Sequence, residues 1–229
     1  MLAPIDLQPF EKALTFREAA YHAIKHAILA GQLEPGKPLV EERLAAMLKI
    51  SRTPVREALA ILEHEGLIAP IYRRGLFVCQ LSRAQVIELF TANEAVEPFL
   101  ARRAAFYASP EQLVAIEQTI SDGEASVERL DVANFLRSGR MFHAGIGLAA
   151  ANPTLAQLVQ RNEERVDLFV ISYGKRIDAE MMRASNREHQ AIYQAICDRD
   201  PDAAARLAIY HAQSIRERFA ALANDESDA

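Results

Sequence analysis

Residues 39–78, LVEERLAAMLKISRTPVREALAILEHEGLIAPIYRRGLFV, decide the fold of the N-terminal third of the chain. Apolar residues recur in this stretch at helical spacing, in two short segments that meet near Ile50. Two short helices separated by only a few residues are typical of a helix-turn-helix. Further along, apolar pairs flank Arg73-Arg74-Gly75, and this arrangement predicts a small β-hairpin, or wing.

The helices of this part have recognisable ends. The first is predicted at about Phe16–Ala30, with Thr15 as the hydroxyl of a capping box. A loop, GQLEPGKP, separates it from a second helix at Val40–Leu48. A third helix is predicted to be capped at Thr53-Pro54, because a capping hydroxyl before a proline in the first turn favours helix initiation.

From Ser82 onward the sequence has helical periodicity, punctuated by Ser-Pro, Asn-Pro and Asp-Pro pairs that open helices. Six helices are predicted, at about 83–107, from 109, at 131–150, from 152, at 178–199 and from 200. The predicted fold class is mainly α. A winged helix-turn-helix domain over 1–82, with its core at about 14–80, precedes an all-helical bundle of about six helices over 83–229.

The composition is that of an ordinary globular protein, with 50% hydrophobic and 25% charged residues. No run of about 18 apolar residues exists, and the N-terminus has no basic region, so we expect neither a membrane span nor a secretory signal, and a cytoplasmic location. Cys79 and Cys197 lie far apart and form no CxxC pair. They therefore indicate a reducing compartment and no thiolate zinc site.

The net charge of -5 would argue against a nucleic-acid partner, but the charge is unevenly distributed. Residues 1–83 contain 11 Lys and Arg against 9 Asp and Glu, whereas the remainder contains 15 against 22. A mildly basic N-terminal part and an acidic C-terminal part indicate different partners for the two.

The third helix has the residues of a DNA-reading helix. Its apolar face leaves Arg52 and Arg56, four residues apart, on another face near the N-terminal end. A recognition helix enters the major groove by its N-terminal residues, where arginine can bind guanine or phosphate. Ser51 and Thr53 supply hydroxyls for phosphate oxygens. Arg73 and Arg74 at the wing tip could extend into a neighbouring groove. The alternative is a surface helix with two solvated arginines and a basic turn.

The stretch 39–78 closely resembles the winged helix-turn-helix of GntR-family bacterial transcription regulators. The family's hallmark is a segment like S-R-T-P-V-R-E-A-L, then L-E-x-x-G-L and R-x-G-x-x-V, and 51–59, 62–67 and 73–78 match it. By position, the resemblance implies DNA contacts from Arg52, Thr53 and Arg56 in the helix, and from Arg74-Gly75 in the wing. Glu42 stands where some relatives have an arginine that approaches the DNA.

Three histidines in the C-terminal part, His143, His189 and His211, each lie in the middle of an amphipathic helix. Converging neutral imidazoles would form a metal site with an open coordination position. Taken singly, such a histidine is more often a hydrogen-bonded core residue.

The C-terminal part resembles the effector domain of the FadR branch of this family, the type called FCD. Phe142-His143, Asn152-Pro153, Glu188-His189 and His211 stand in the family's order. The resemblance implies a divalent metal, with zinc or nickel as the first choices, held by the three histidines and an acidic residue. It also implies that a small organic acid is sensed beside the metal.

Two positions depart from the family's pattern. Gly139 stands one helical turn before the first histidine, where the acidic ligand is common. Asn93 stands four residues before Glu97, where many relatives have an arginine that can pair with a carboxylate effector. An amide cannot supply the charged two-point contact of a guanidinium. The candidate effector-binding residues are therefore Asn93 and Arg140, with a metal-free polar pocket as the alternative to a metal centre.

We therefore expect a ligand-responsive regulator, a repressor, that binds a pseudo-palindromic double-stranded DNA operator as a homodimer, has no membrane partner and is not an enzyme. Two alternatives remain. A three-histidine metal could activate water in a hydrolase, with Glu188 as the candidate base, although adjacent helical residues diverge and Glu188 would not face the same pocket as His189. The chain could also be an architectural DNA-binding protein that senses no ligand.

Overall fold

The computed structural model describes residues 14–172 and 177–224 and contains nine helices and three short strands in those ranges. In chain order the N-terminal elements are α1 (Phe16–Leu29), β1 (Pro38–Leu39), α2 (Glu41–Leu48), α3 (Arg52–His64), β2 (Ile68–Ile71) and β3 (Gly75–Val78). The C-terminal elements are α4 (Arg83–Tyr107), α5 (Pro110–Glu128), α6 (Val132–Ala149), α7 (Pro153–Ser172), α8 (Ala179–Cys197) and α9 (Pro201–Asn224). The predicted fold class is confirmed.

The N-terminal helices form a helix-turn-helix. The predicted capping box of α1 is present, with the Thr15 hydroxyl accepting from the backbone of Glu18. The predicted cap of α3 is wrong: the helix begins at Arg52 with Ser51 in the cap position, so Thr53 already lies within the first turn. Proline is tolerated there because the first turn's N–H groups have no partner within the helix.

The wing is a three-stranded antiparallel sheet in the order β1-β3-β2. The hairpin of β2 and β3 was predicted, whereas β1 was not, because two residues are too few to show a period of two. Arg73 and Gly75 have φ of 60° and 92° at the hairpin turn. Glycine adopts such an angle without steric cost, which accounts for Gly75 at the wing tip.

The six C-terminal helices have the order predicted for them. Ser109 caps its helix as predicted, and Ser82 also forms a capping box. Asp131 and Asp178 each accept a hydrogen bond from the backbone N–H of the residue three positions further on. The main core of this part contains Leu100, Ile116, Phe142, Ile192 and Ile196, all nearly or fully buried.

Helix α7 contacts both parts of the molecule. Leu168 is buried in the hydrophobic core of the winged part, together with Leu59 and Leu62 of α3. One turn earlier, Glu164 forms an ion pair with Lys25 of α1, with Oε2 and Nζ 2.8 Å apart. The described residues include no helix whose length and apolar character would let it span a membrane.

Candidate functional site

The N-terminal end of α3 presents the predicted DNA-reading residues together. Ser51, Arg52, Thr53 and Arg56 are all exposed, and the arginine side chains are 59% and 65% accessible. The opposite face of α3 is buried in the core of the winged part through Val55, Ala58, Leu59 and Leu62. The packing of that face determines which side chains of the helix point outward.

Both arginines contact Glu41, a residue that the sequence analysis did not single out. The Arg56 guanidinium donates to the Glu41 carboxylate from Nε at 3.2 Å and from Nη2 at 3.0 Å. Arg52 Nη2 lies 3.5 Å from the same carboxylate. The hydrogen bonds from Arg56 lower the pKa of Glu41. Glu41 therefore orients two flexible cationic side chains at the end of the helix.

The wing tip carries the other predicted contacts, and Arg73, Arg74 and Gly75 are exposed there. The Arg73 guanidinium lies over the Tyr72 ring, 4.9 Å from its centroid, and that of Arg74 lies 5.3 Å from the centroid of Phe77. Stacking on an aromatic ring stiffens each arginine while its N–H groups stay exposed.

The three predicted histidines converge from different helices. His143 of α6, His189 of α8 and His211 of α9 are 8%, 4% and 3% exposed, and one ring nitrogen of each lies within 4.8 Å of the others. The Nε2 atoms of His189 and His211 are 3.2 Å apart. Phe142 stacks on His189 with ring centroids 4.2 Å apart. The histidines thus form one cluster, as the metal-site hypothesis requires.

The cluster opens on a cavity of about 90 Å³ inside the helical part. Its walls are mostly apolar, and its polar lining comes from α4, α6, α7, α8 and α9. The apolar lining includes Phe90, Phe135, Leu136, Val166, Val170, Ile177, Met181, Met182, Ile215 and Phe219; the polar lining is Asn93, Glu97, His143, Glu163, Asp167, Ser185, His189, His211 and Arg218.

Burial favours the neutral form of His189 and His211. It lowers the pKa of His189 well below the ordinary value, and the neighbouring His211 and His143 lower it further. Burial also lowers the pKa of His211, although the hydrogen bond to Glu188 opposes that shift. Neutral imidazole is the form that binds a metal ion.

Glu188 contacts His211 from outside the cavity. Its Oε2 lies 2.7 Å from His211 Nδ1, and Arg218 donates to both of its oxygens at 2.8 and 2.7 Å. Glu188 is not among the residues that line the cavity, which agrees with the expected divergence from His189. A neutral His211 that donates its Nδ1 proton to this carboxylate has a lone pair on Nε2, directed towards His189.

A second polar group lies beside the histidines. Asn93 Nδ2 donates to Glu163 at 2.7 Å, while its Oδ1 accepts from Asn162 at 2.9 Å. Glu97 Oε1 lies 3.6 Å from His143 Nδ1, and burial raises the pKa of Glu97 to about 7. Sequence reasoning missed Glu163, because a glutamate within a helix rich in charged residues resembles any solvated one.

Gly139 lies at the cavity, whereas Arg140 does not. Gly139 lines the cavity, and a Cβ added to it would lie 3.7 Å from His189 Cε1, an ordinary contact distance. Arg140 is not part of the cavity lining. It forms a buried ion pair with Asp167, whose own side chain does line the cavity.

The donor set fits a divalent metal without Gly139. Three buried imidazoles on separate helices are a common ligand set for zinc and suit nickel as well. The other ligands of such an ion would come from water or from a bound acid.

Acidification should destabilise the metal-free protein through His189. The unfolded imidazole binds a proton below a pH of about 6.5, whereas the folded one resists protonation, so stability falls as the pH drops through that value. Lowering the pH from 7.5 to 5.5 should therefore cost the wild type about 1 kcal/mol more unfolding free energy than His189→Gln. Urea denaturation in a chelator at both pH values measures this. The exposed His64→Gln serves as control, and equal losses in wild type and His189→Gln contradict the buried neutral state.

Two family profiles match successive parts of the chain. Residues 16–78 match the profile of bacterial regulatory proteins of the gntR family, and residues 88–214 match that of the FCD domain. The second match covers more than half of the chain and includes all three histidines.

The chain is similar to known regulators along most of its length. It is 29% identical over 209 residues to the HTH-type transcriptional repressor RspR of Escherichia coli (strain K12), covering 91% of this chain and 90% of that protein. It is 28% identical over 179 residues to the Nta operon transcriptional regulator of Aminobacter aminovorans, covering 78% of this chain and 82% of that protein.

Solved structures share the fold. E. coli McbR/YncC superposes with a TM-score of 0.82 at 19% identity, covering 93% of this chain and 100% of that chain. A GntR protein from Rhodococcus sp. RHA1 gives a TM-score of 0.77 at 20% identity, covering 88% and 96%.

Proposed function

The chain belongs to the GntR family of bacterial regulatory proteins, with an FCD effector domain, and is a transcription regulator, not an enzyme; from this we propose that it is a repressor whose operator affinity is controlled by a small organic acid bound in the cavity. The buried cluster of His143, His189 and His211 at the wall of that cavity carries the proposal.

On the DNA side, we assign base and phosphate contacts to the end of α3 and to the wing. Arg52 and Arg56 would enter the major groove, Ser51 and Thr53 would contact phosphate oxygens, and Arg73, Arg74 and Gly75 would lie against a neighbouring groove. One winged part covers one half-site, so a pseudo-palindromic operator requires a homodimer.

An apolar strip on α4 supports dimerisation through the helical part. Phe99, Phe106 and Tyr107 are exposed, and their spacing of seven and eight residues places them on one face of the helix. Large apolar patches of this kind are typical of protein interfaces. We therefore propose that this face contacts a second copy of the chain.

In the effector domain, His143, His189 and His211 would hold one divalent ion. Such an ion would supply a Lewis acid that attracts the carboxylate of the effector. Gly139 has no side chain to serve as a further ligand, so the acid would complete the coordination shell. The Glu188 carboxylate fixes the orientation of His211, and the packing of Phe142 fixes that of His189.

Helix α7 offers a route from the cavity to the DNA-binding part. Glu163 and Asp167 line the cavity, while Glu164 pairs with Lys25 and Leu168 is buried in the core of the winged part. A ligand that displaces α7 must therefore move its contacts with α1. By reciprocity, operator DNA changes the affinity for the acid by the same factor.

The direct test measures operator affinity with and without ligand. DNA selected by the full-length chain from a random pool serves as operator, and fluorescence anisotropy reports its Kd for the zinc-loaded protein. Keto, hydroxy and amino acids are added in turn. At least one should weaken operator binding by roughly fivefold or more. If none changes Kd or melting temperature, the architectural alternative is correct.

Loss of the ion pair between α7 and α1 should weaken the coupling between the effector cavity and the DNA-binding surface. In Glu164→Gln the ion pair with Lys25 is lost while the size of the side chain is kept. We expect the acid to bind this variant normally by calorimetry, but the change in operator Kd to shrink several-fold. Glu128→Gln, on the exposed face of α5, is the matched control. Full coupling in Glu164→Gln would exclude this route.

A further inference from the structure

More carboxyl groups than cationic groups line the cavity. Glu97, Glu163 and Asp167 line it, against Arg218 as the cationic side chain of its lining. Arg218 is committed to Glu188 outside the cavity by two hydrogen bonds. Asp167 is neutralised by Arg140. Within the described ranges, neither Glu97 nor Glu163 has an ion pair with a lysine or arginine.

Among the residues that the structure describes, no donor lies within hydrogen-bonding distance of Glu97. It is only 7% exposed, and its one polar contact in the described part of the chain is His143 Nδ1 at 3.6 Å, which is beyond hydrogen-bonding distance. A buried carboxylate without a donor is costly, so a donor from a ligand would relieve an existing deficit. Because Glu97 lines the cavity, that ligand would lie within it.

Asn93 cannot take the place of the family's arginine. Its amide nitrogen is engaged with Glu163 and its oxygen with Asn162. To bind a ligand carboxylate, this amide would have to give up its hydrogen bond to Glu163. Asn93 instead presents the Glu163 carboxylate to the cavity.

The carboxyl groups of Glu97 and Glu163 lie next to the cluster of three histidines. His143 belongs to both: its ring nitrogens lie within 4.8 Å of ligand atoms of His189 and His211, and within 4.8 Å of carboxylate oxygens of Glu97 and Glu163. A ligand that contacts both groups therefore needs opposite charges only a few bonds apart. The cavity of about 90 Å³ holds roughly six to nine groups the size of a water molecule.

We propose that the effector is a small α-amino acid, whose ammonium group lies between Glu97 and Glu163 and whose carboxylate faces the three histidines. The inference rests on the proposed effector function of the cavity and narrows its chemical class. A zwitterion would bring no net charge into a cavity that is lined by the carboxyl groups of Glu97 and Glu163. A simple carboxylic acid would add a further negative charge in a medium of low dielectric constant.

Four probes of similar size test the assignment on the zinc-loaded full-length chain: L-alanine, L-lactate, propionate and ethylamine. L-alanine has both an ammonium and a carboxylate group, and L-lactate has a carboxylate and a hydroxyl. Propionate has only the carboxylate, and ethylamine has only the ammonium group. Calorimetry and thermal melting should rank L-alanine first, with a Kd roughly tenfold or more below that of L-lactate or propionate. Operator anisotropy supplies an independent measurement of the response.

Two variants identify the ammonium site. Glu97→Gln and Glu163→Gln should each weaken L-alanine roughly tenfold or more, while L-lactate binds as well as before or better, since a negative charge has been removed. Retained L-lactate binding shows that the variant is folded. Glu128→Gln on the exposed face of α5 should leave both affinities unchanged.

The possible failures are distinguishable. If L-lactate or propionate matches L-alanine, or if the glutamine variants weaken all the acids equally, the amino-acid assignment is overturned while the sensing function stands. A second zinc ion per chain that is lost in Glu163→Gln overturns it too, because the carboxylates would then bind metal. If no acid changes melting temperature or operator affinity, the proposed function itself fails.

Discussion

Zinc-loaded His143→Ala is expected to lose its metal on desalting, whereas the wild type retains about one ion per chain. Removal of a ligand should weaken binding by more than the roughly 10- to 100-fold typical of outer-shell partners. The geometry supports a large effect because His143, His189 and His211 offer three donors and Gly139 offers none. Elemental analysis of the desalted protein gives the result directly.

His143→Asn serves as a second variant, since alanine would also leave a void in a packed region. It keeps much of the side-chain volume, and its melting temperature without metal should lie close to that of the metal-free wild type. His64→Ala removes an exposed histidine of the winged part and should leave the metal content unchanged. Equal retention by wild type and both His143 variants would show that the metal lies elsewhere.

Gly139→Asp adds a possible metal ligand to the three histidines, whereas His143→Ala removes one. A Cβ added to Gly139 would lie 3.7 Å from His189 Cε1, so the first atom of a side chain fits there and lies next to the histidines. A carboxylate there should raise the affinity for zinc. It should lower the affinity for the acid effector, because it would take the place proposed for the effector's own carboxylate. Tighter zinc with unchanged effector affinity would show that the effector does not bind at that position.

The architecture was predictable because its signals are local. Capping residues such as Ser82, Ser109 and Asp131 determine where helices begin, through hydrogen bonds to N–H groups within the next few residues. The family resemblance added the order of the three histidines. Their convergence is a property of tertiary packing, which spacing along the chain cannot give.

The features that sequence reasoning missed all depend on distant contacts. Glu41 lies 15 residues before the Arg56 that it orients, and Asn93 lies 70 residues before Glu163. Arg140 shows the converse: it was a candidate to replace the arginine that Asn93 lacks, but its guanidinium pairs with Asp167. The partners in such pairs are determined by the tertiary fold, because an unpaired buried charge is costly and therefore pairs with an opposite charge nearby.

Arg52→Ala and Arg56→Ala should each weaken operator binding roughly tenfold or more if the arginine reads a base. An arginine that contacts phosphate should instead weaken all DNA sequences alike and reduce the slope of log Kd against log salt by about 1. Anisotropy titrations at several salt concentrations, with operator and scrambled DNA, separate the two cases. Arg183→Ala, an exposed arginine of α8, is the charge-matched control.

Glu41 sharpens the interpretation of these variants. Its carboxylate holds Arg56 by hydrogen bonds at 3.0 and 3.2 Å, so Glu41→Gln should leave that guanidinium freer while keeping the helix surface nearly isosteric. If Glu41 orients the arginine for a base, the variant should lose discrimination between operator and scrambled DNA. Its binding to scrambled DNA should improve, because a negative charge near the phosphates has been removed. Unchanged operator affinity in Arg52→Ala and Arg56→Ala would place the DNA-reading surface elsewhere than the N-terminal end of α3.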